Sequence, residues 1–140
     1  MPVEINQITG SIVDAAMKVH STLGPGLLES VYEKCLKHEL VKQGFEVESQ
    51  MWLPVVYDGI PMEGGYKIDL IVENRVLVEL KVVEHLLPIH KAQLLSYLKL
   101  SNKTVGLLIN FNVVHLRDGI RRVVNHYQSS ESSASPAVLV

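Results

Sequence analysis

The sequence predicts an α/β domain in which a mixed central sheet is flanked by helices, with the element order ααβββαββ. Three observations indicate this fold class. Two helical patterns open the chain, alternating strand patterns separated by hairpin signals occupy its middle, and a further helical segment leads into a near-continuous apolar run. A helical crossover into a buried strand, after a meander of strands, is typical of a mixed sheet.

The N-terminal part of the chain predicts two helices joined by a tight turn. Residues 4–22 carry apolar side chains at three- and four-residue spacing: Ile5, Ile8, Ile12, Ala16 and Val19. The segment Leu23-Gly24-Pro25-Gly26 ends this helix, because proline and paired glycines suit a turn. A second helix is expected from Leu27 to Gln43, with Gly44 as its C-terminal cap and with these residues on its buried side: Val31, Cys35, Leu36 and Leu40.

The middle of the chain predicts a meander of strands. Residues 46–57 form one strand or a bent pair of strands interrupted at Pro54, and Asp58-Gly59 is a hairpin signal. Two further strands are expected over 66–72 and 76–82.

The C-terminal part predicts a helix and a last group of strands. Pro88 fits the first turn of a helix that runs to about Leu100, and residues 104–111 suit a strand buried on both faces. A final hairpin is expected around Arg117-Asp118-Gly119, with its strands over 113–116 and 121–124. Residues 1–127 then form one domain, and the serine-rich tail, 128–140, has the composition of a disordered segment.

Composition narrows the classes of protein to consider. The chain has 140 residues, an apolar fraction of 47% and a net charge of −2, which argues against coating nucleic acid by bulk electrostatics. A single cysteine, Cys35, excludes an internal disulfide and a cysteine-based metal cluster. Neither a signal peptide nor an apolar run of membrane-spanning length is found, so we expect a soluble, cytoplasmic protein without a membrane partner.

The most informative feature is a pair of charged residues on each of two neighbouring strands. If Glu73-Asn74-Arg75 is a three-residue loop, Asp69 lies opposite Glu79, where Cβ atoms are about 5 Å apart and like charges repel. Such a pair calls for a cation or for a raised pKa on one carboxyl group. Lys81, on the same strand face as Glu79, completes a set suited to a divalent-metal phosphodiesterase. The alternative is a surface ion-pair cluster in which Lys67 and Lys81 neutralise the two acids.

These residues resemble the PD-(D/E)XK, or restriction-endonuclease-like, nuclease superfamily, and within it the small GxxExxY proteins. The GxxExxY motif reads Gly26-Leu-Leu-Glu29-Ser-Val-Tyr32, and the superfamily signature reads Asp69 followed by Glu79-Leu80-Lys81. Gln93-Leu-Leu-Ser-Tyr97 matches the helical Gln…Tyr element of these enzymes, and Gly106–Phe111 also looks like the GxxExxY group. The resemblance covers about residues 5–125. It implies a restriction-endonuclease-like core.

The resemblance also implies roles for the charged residues. Asp69, Glu79, Glu29 and the backbone carbonyl of Leu80 would ligate Mg²⁺ or Mn²⁺. Lys81 would orient the attacking water and stabilise charge as it develops, although a simple salt bridge is the alternative for this lysine. Glu29 would otherwise serve only as a favourable charge at the positive end of its helix.

Four other residues are candidates for supporting roles at this site. Tyr32 would hydrogen-bond a carboxylate or phosphate, or else be a half-buried core aromatic. Gln93 would bond Lys81, Glu79 or a substrate phosphate, and Tyr97 would face the sheet beside it. His90 would act on the leaving group, with helix capping or packing as the favoured alternative. A phosphate-binding rim, or equally a solvated face, is expected from five basic residues: Lys99, Lys103, Arg117, Arg121 and Arg122.

Together these observations predict a metal-dependent nuclease whose expected substrate is DNA and which the resemblance suggests is a homodimer. Two other functions stay open. One is a catalytically silent binding or regulatory module that retains the nuclease fold, and the other is hydrolysis of a smaller phosphodiester such as a nucleotide. Affinity for Mg²⁺ or Mn²⁺ distinguishes the catalytic from the silent module.

Overall fold

A computed structural model describes residues 4–126, which form a five-stranded mixed sheet flanked by three helices. The strands lie in chain order across the sheet, and all neighbours are antiparallel except the third and fourth strands, which are parallel. This confirms the predicted fold class and element order. The elements are α1 (Ile5–Leu23), α2 (Glu29–Lys42), β1 (Val47–Tyr57), β2 (Ile60–Val72), β3 (Val76–Lys81), α3 (Pro88–Ser101), β4 (Val105–Asn110), a 3-10 helix (Leu116–Gly119) and β5 (Ile120–Val124).

Two apolar layers cover the two faces of the sheet. On one face, α1 and α2 pack on side chains of β2, β3 and β4 that include Leu70, Val78 and Leu107. On the other face, α3 packs through Leu94 and Leu98 against a second group of buried strand residues. Every residue of β4 is buried, as expected for a central strand covered on both sides.

The bounds of the helices agree with the sequence prediction to within about two residues. Gly24 ends α1 at a φ of 72°, a left-handed conformation that glycine adopts without steric cost. Pro88 occupies the first turn of α3, where its missing N–H group is not needed. Among the described residues, none of the helices combines the length and the apolar character that a membrane span requires.

The strands depart from the prediction in their lengths and at the end of the chain. β2 begins at Ile60, earlier than the predicted Tyr66, and it pairs with β1 on both sides of a register shift between Leu53 and Val55. This shift is the bend predicted at Pro54. The Asp58-Gly59 turn is confirmed, since Tyr57 pairs with Ile60.

The predicted hairpin of strands 113–116 and 121–124 is wrong. Only the second segment is a strand, β5, and it pairs with β4. Residues 113–116 instead pass beneath α1, where the Val113 carbonyl accepts a hydrogen bond from His20 Nε2 at 2.8 Å and Leu116 enters the core. These contacts with α1 outweigh the strand preference of the apolar residues. The predicted serine-rich tail, 128–140, lies outside the described residues.

Candidate active site

The candidate site lies where β2 separates from β3. The main-chain ladder between these strands runs from the pair Val72–Val76 to the pair Leu70–Val78 and stops there. Beyond this pair, the hydrogen bonds between the two strands run from backbone N–H groups to side-chain carboxylates. Asp69 N donates to Glu79 Oε1 at 3.0 Å, and Leu80 N donates to Asp69 Oδ2 at 2.8 Å. The two predicted acids are therefore adjacent, and each carboxylate is held by a backbone N–H group of the neighbouring strand.

Burial disfavours the charged form of these two carboxyl groups. Glu79 is only 7% exposed, and Asp69 is partly buried. Burial, together with the charge of Asp69, raises the pKa of Glu79 to about 8. Burial also raises the pKa of Asp69, although hydrogen bonds from Leu80 and Gln50 and the charge of Lys81 act in the opposite direction. The raised pKa of Glu79 is one of the two outcomes predicted for this acidic pair from its register.

Helix α2 places two further acids near Asp69. Burial raises the pKa of Glu29, the first residue of α2, and Asp69 and Lys81 are close enough to shift it in opposite directions. Glu33, one helical turn later, also has a raised pKa through burial. Gln50 Nε2 joins these residues, because it donates to Glu33 Oε1 at 2.7 Å and to Asp69 Oδ1 at 3.3 Å.

Helix α3 closes the other side of the site. Lys81 Nζ donates to Gln93 Oε1 at 3.5 Å, one of the contacts predicted for Gln93. Tyr97, one turn further along α3, is 6% exposed, and burial with the charges of Glu79 and Asp69 raises its pKa to about 12. The ring of Tyr66 lies 5.2 Å from that of Tyr97, centroid to centroid. The site is thus bounded by acids on α2, by an amide and aromatic rings on α3 and β2, and by one ammonium group.

A family model, that of the PD-(D/E)XK nuclease superfamily, matches residues 6–123, which include all of these side chains. The chain belongs to the PD-(D/E)XK nuclease superfamily. Membership indicates a nuclease that hydrolyses phosphodiester bonds, and PD-(D/E)XK nucleases generally depend on a divalent metal ion. Searches of the curated proteins and of the solved structures find no match.

The donor atoms at the PD-(D/E)XK site fit a hard divalent cation. Among residues 4–126, no three His, Cys, Asp or Glu side chains lie close enough together to hold one ion. Glu79 nevertheless binds a backbone N–H through Oε1 alone, and the Oδ1 atom of Asp69 accepts only the longer hydrogen bond from Gln50, at 3.3 Å. The Leu80 carbonyl points to the same side of β3 as its N–H, which faces Asp69. Two carboxylates and a carbonyl suit Mg²⁺, which is commonly bound by one or two carboxylates and keeps several water ligands.

Two predicted supporting residues, Tyr32 and His90, make hydrogen bonds to backbone groups near them in the chain. The prediction that Tyr32 bonds a carboxylate or phosphate is wrong, because its hydroxyl donates to the Gly24 carbonyl at 2.6 Å and accepts from Leu27 N at 3.1 Å. Its ring is fully buried, so it is a core residue, and it stacks on Phe111 at 4.4 Å. For His90 the capping alternative is confirmed, since its Nδ1 accepts a hydrogen bond from Leu87 N at 2.9 Å.

Two of the five residues of the predicted basic rim, Arg121 and Arg122, form hydrogen bonds within the fold. Arg121 donates to the carbonyls of Asp118 and Ile120 in its own loop. Arg122 donates to Thr9 Oγ1 at 3.1 Å and to Asn6 Oδ1 at 3.0 Å, which fixes β5 to the start of α1. Both arginines therefore serve the fold.

Two residues of the site, Glu33 and Gln50, were not expected from the sequence. Glu33 follows Glu29 by four residues, a spacing that places both on one helix face and that was sufficient to find it. Gln50 has a positive φ of 54° within β1, a conformation that non-glycine residues seldom adopt. No local sequence signal accompanies it.

Proposed function

We propose that this chain is a Mg²⁺- or Mn²⁺-dependent phosphodiesterase that cleaves nucleic acid, with DNA as the expected substrate. The observation that carries the proposal is the pair Asp69 and Glu79, each of whose carboxylates accepts a backbone N–H from the neighbouring strand, with Lys81 two residues beyond Glu79 on β3. A surface ion-pair cluster does not account for this arrangement, because Glu79 is buried and Lys81 donates to Gln93.

In this proposal Asp69, Glu79 and the Leu80 carbonyl hold the ion, and Glu29 supports it from α2. A bound divalent ion lowers the pKa of water and polarises the phosphoryl oxygen. Lys81 orients the attacking water and stabilises the negative charge that develops on the phosphate. Gln93, by accepting from the Lys81 ammonium, fixes the direction in which that ammonium points. The reaction is an in-line attack of water on phosphorus with departure of one ester oxygen.

A cleavage assay with matched variants tests this function. Plasmid, linear duplex, single-stranded DNA and RNA are incubated with the protein in Mg²⁺, in Mn²⁺ and in EDTA. Asp69→Ala and Lys81→Ala proteins, purified identically, reveal any contaminating nuclease. We expect metal-dependent cutting by the wild-type protein that falls by at least about 100-fold in both variants, in line with losses typical of oxyanion-stabilising groups. Cutting that survives both substitutions contradicts the proposal.

A second function, a silent binding module with the nuclease fold, is favoured by one observation. The described residues lack a cluster of three ligating side chains. Calorimetric titration of Mg²⁺ and Mn²⁺ into wild-type and Asp69→Ala protein decides between the two, because a module that binds neither ion cannot run the proposed chemistry. Light scattering on the same samples tests the homodimer that the resemblance suggests.

A further inference from the structure

We propose that Tyr66 is a stacking surface for an unpaired nucleobase beside the scissile phosphate, so that the preferred substrate is a nucleic acid with a single-stranded segment. This inference rests on the proposed nuclease function and narrows its substrate class.

The position of Tyr66 places its ring at the border of the site. In the register of β1 and β2 it is paired with Leu53, a buried residue of the α3-side core, so both side chains lie on the α3 side of the sheet. Its ring contacts Tyr97, whose hydroxyl is close enough to Glu79 and Asp69 to respond to their charges. A group stacked on Tyr66 is therefore a near neighbour of a phosphate bound at the acidic pair.

Tyr66 is also exposed to solvent. Tyr66 is 47% exposed, whereas its neighbour Tyr97 is 6% exposed. The two rings are tilted by 40°, so Tyr97 covers part of Tyr66 and leaves the remainder facing solvent. An aromatic face of this kind stacks on any base, because every base has a π-face.

Duplex DNA does not suit such a surface, since the faces of paired bases are already covered by their neighbours in the stack. A single strand, a frayed end or an overhang offers a free face at little cost. Two of the five basic residues suggested for a phosphate-binding rim, Arg121 and Arg122, already donate hydrogen bonds within the fold, which leaves fewer of their N–H groups for phosphate. Binding that depends less on phosphate contacts relies more on stacking.

Binding and cleavage of one oligonucleotide sequence test the proposal. The oligonucleotide is offered as a single strand, as a blunt duplex and as a duplex with an overhang, and the single-stranded forms carry 2-aminopurine, whose fluorescence falls when the base stacks on an aromatic ring. We expect quenching by wild-type protein and about 10-fold weaker single-strand binding by Tyr66→Leu, with little change on the blunt duplex. Tyr66→Phe retains the ring and is expected to bind as the wild type does.

Tyr57→Leu is the matched control, because Tyr57 is 70% exposed and lies at the turn of the same hairpin, away from the acidic pair. The inference is overturned if Tyr66→Leu weakens single strand and duplex equally, if Tyr57→Leu has the same effect, or if the wild type does not quench 2-aminopurine. Quenching that requires Tyr66, in a protein that cleaves none of the substrates, supports base stacking while refuting the proposed nuclease function. Cleavage that is lost in Asp69→Ala but unchanged in Tyr66→Leu supports the proposed nuclease function while refuting base stacking on Tyr66.

Discussion

Glu79 gives the metal-free protein a stability that falls as pH rises. Its pKa is 4.5 in an unfolded chain and about 8 in the folded protein, so folded Glu79 keeps a proton that the unfolded chain has lost. The contribution of Glu79 to the free energy of unfolding is complete below pH 4.5. It declines up to about pH 8, by about 1.4 kcal/mol for each pH unit in that range. The largest expected loss is about 5 kcal/mol, and the raised pKa values of Asp69 and Glu29 act in the same direction.

Glu79→Gln removes this dependence, because the amide is uncharged and its oxygen still accepts from Asp69 N. In urea titrations with EDTA, we expect the variant to match the wild type near pH 5 and to exceed it by several kcal/mol at pH 8, although it no longer cleaves. Glu63→Gln, at an exposed position of β2, is the control and is expected to follow the wild type. Identical pH dependence of wild type and Glu79→Gln refutes the reasoning, since it means that burial does not penalise the Glu79 charge.

Three further predictions follow from single contacts. Gln50→Leu removes a donor that lowers the pKa of Asp69, so we expect the acidic limb of the cleavage rate to move to higher pH and metal affinity, measured by calorimetry, to fall about 10-fold. Tyr32→Phe loses both hydroxyl hydrogen bonds, so we expect the free energy of unfolding to fall by about 1 to 3 kcal/mol while cleavage is unchanged. A variant that loses cleavage but keeps the stability of the wild type contradicts the core role of Tyr32. Gly119→Ala drives a methyl group into the Asn110 carbonyl and is expected to cost about 1 to 3 kcal/mol by urea unfolding, whereas an unchanged midpoint argues against this close approach.

The pairing at the centre of the site could be predicted from the sequence because it depends on local rules. Strand alternation places Glu79 and Lys81 on one face, and a three-residue loop between Val72 and Val76 sets the register that brings Asp69 to Glu79. Both rules involve residues close together in the chain.

The remaining features depend on contacts between distant segments, which no local pattern encodes. Tyr32 lies in the core because the turn after α1 folds back onto its hydroxyl. Residues 113–116 leave the sheet because His20, far earlier in the chain, binds the Val113 carbonyl. Gln50, which has a positive φ within β1, donates a hydrogen bond to Asp69 on the neighbouring strand. In each case tertiary structure overrides local preference.

The hydrogen bonds from Arg122 to Asn6 and Thr9 have a consequence for the order in which the domain assembles. They join the first helix to the last strand across almost the whole length of the domain. In a growing polypeptide, the start of α1 therefore emerges more than 100 residues before β5, its partner in these hydrogen bonds. Contacts of such long sequence separation form late and slow folding. In a chain shortened before β5, the backbone N–H and C=O groups along one edge of the apolar strand β4 have no partner strand. This open edge is the part of a nascent chain that is most exposed to misassembly.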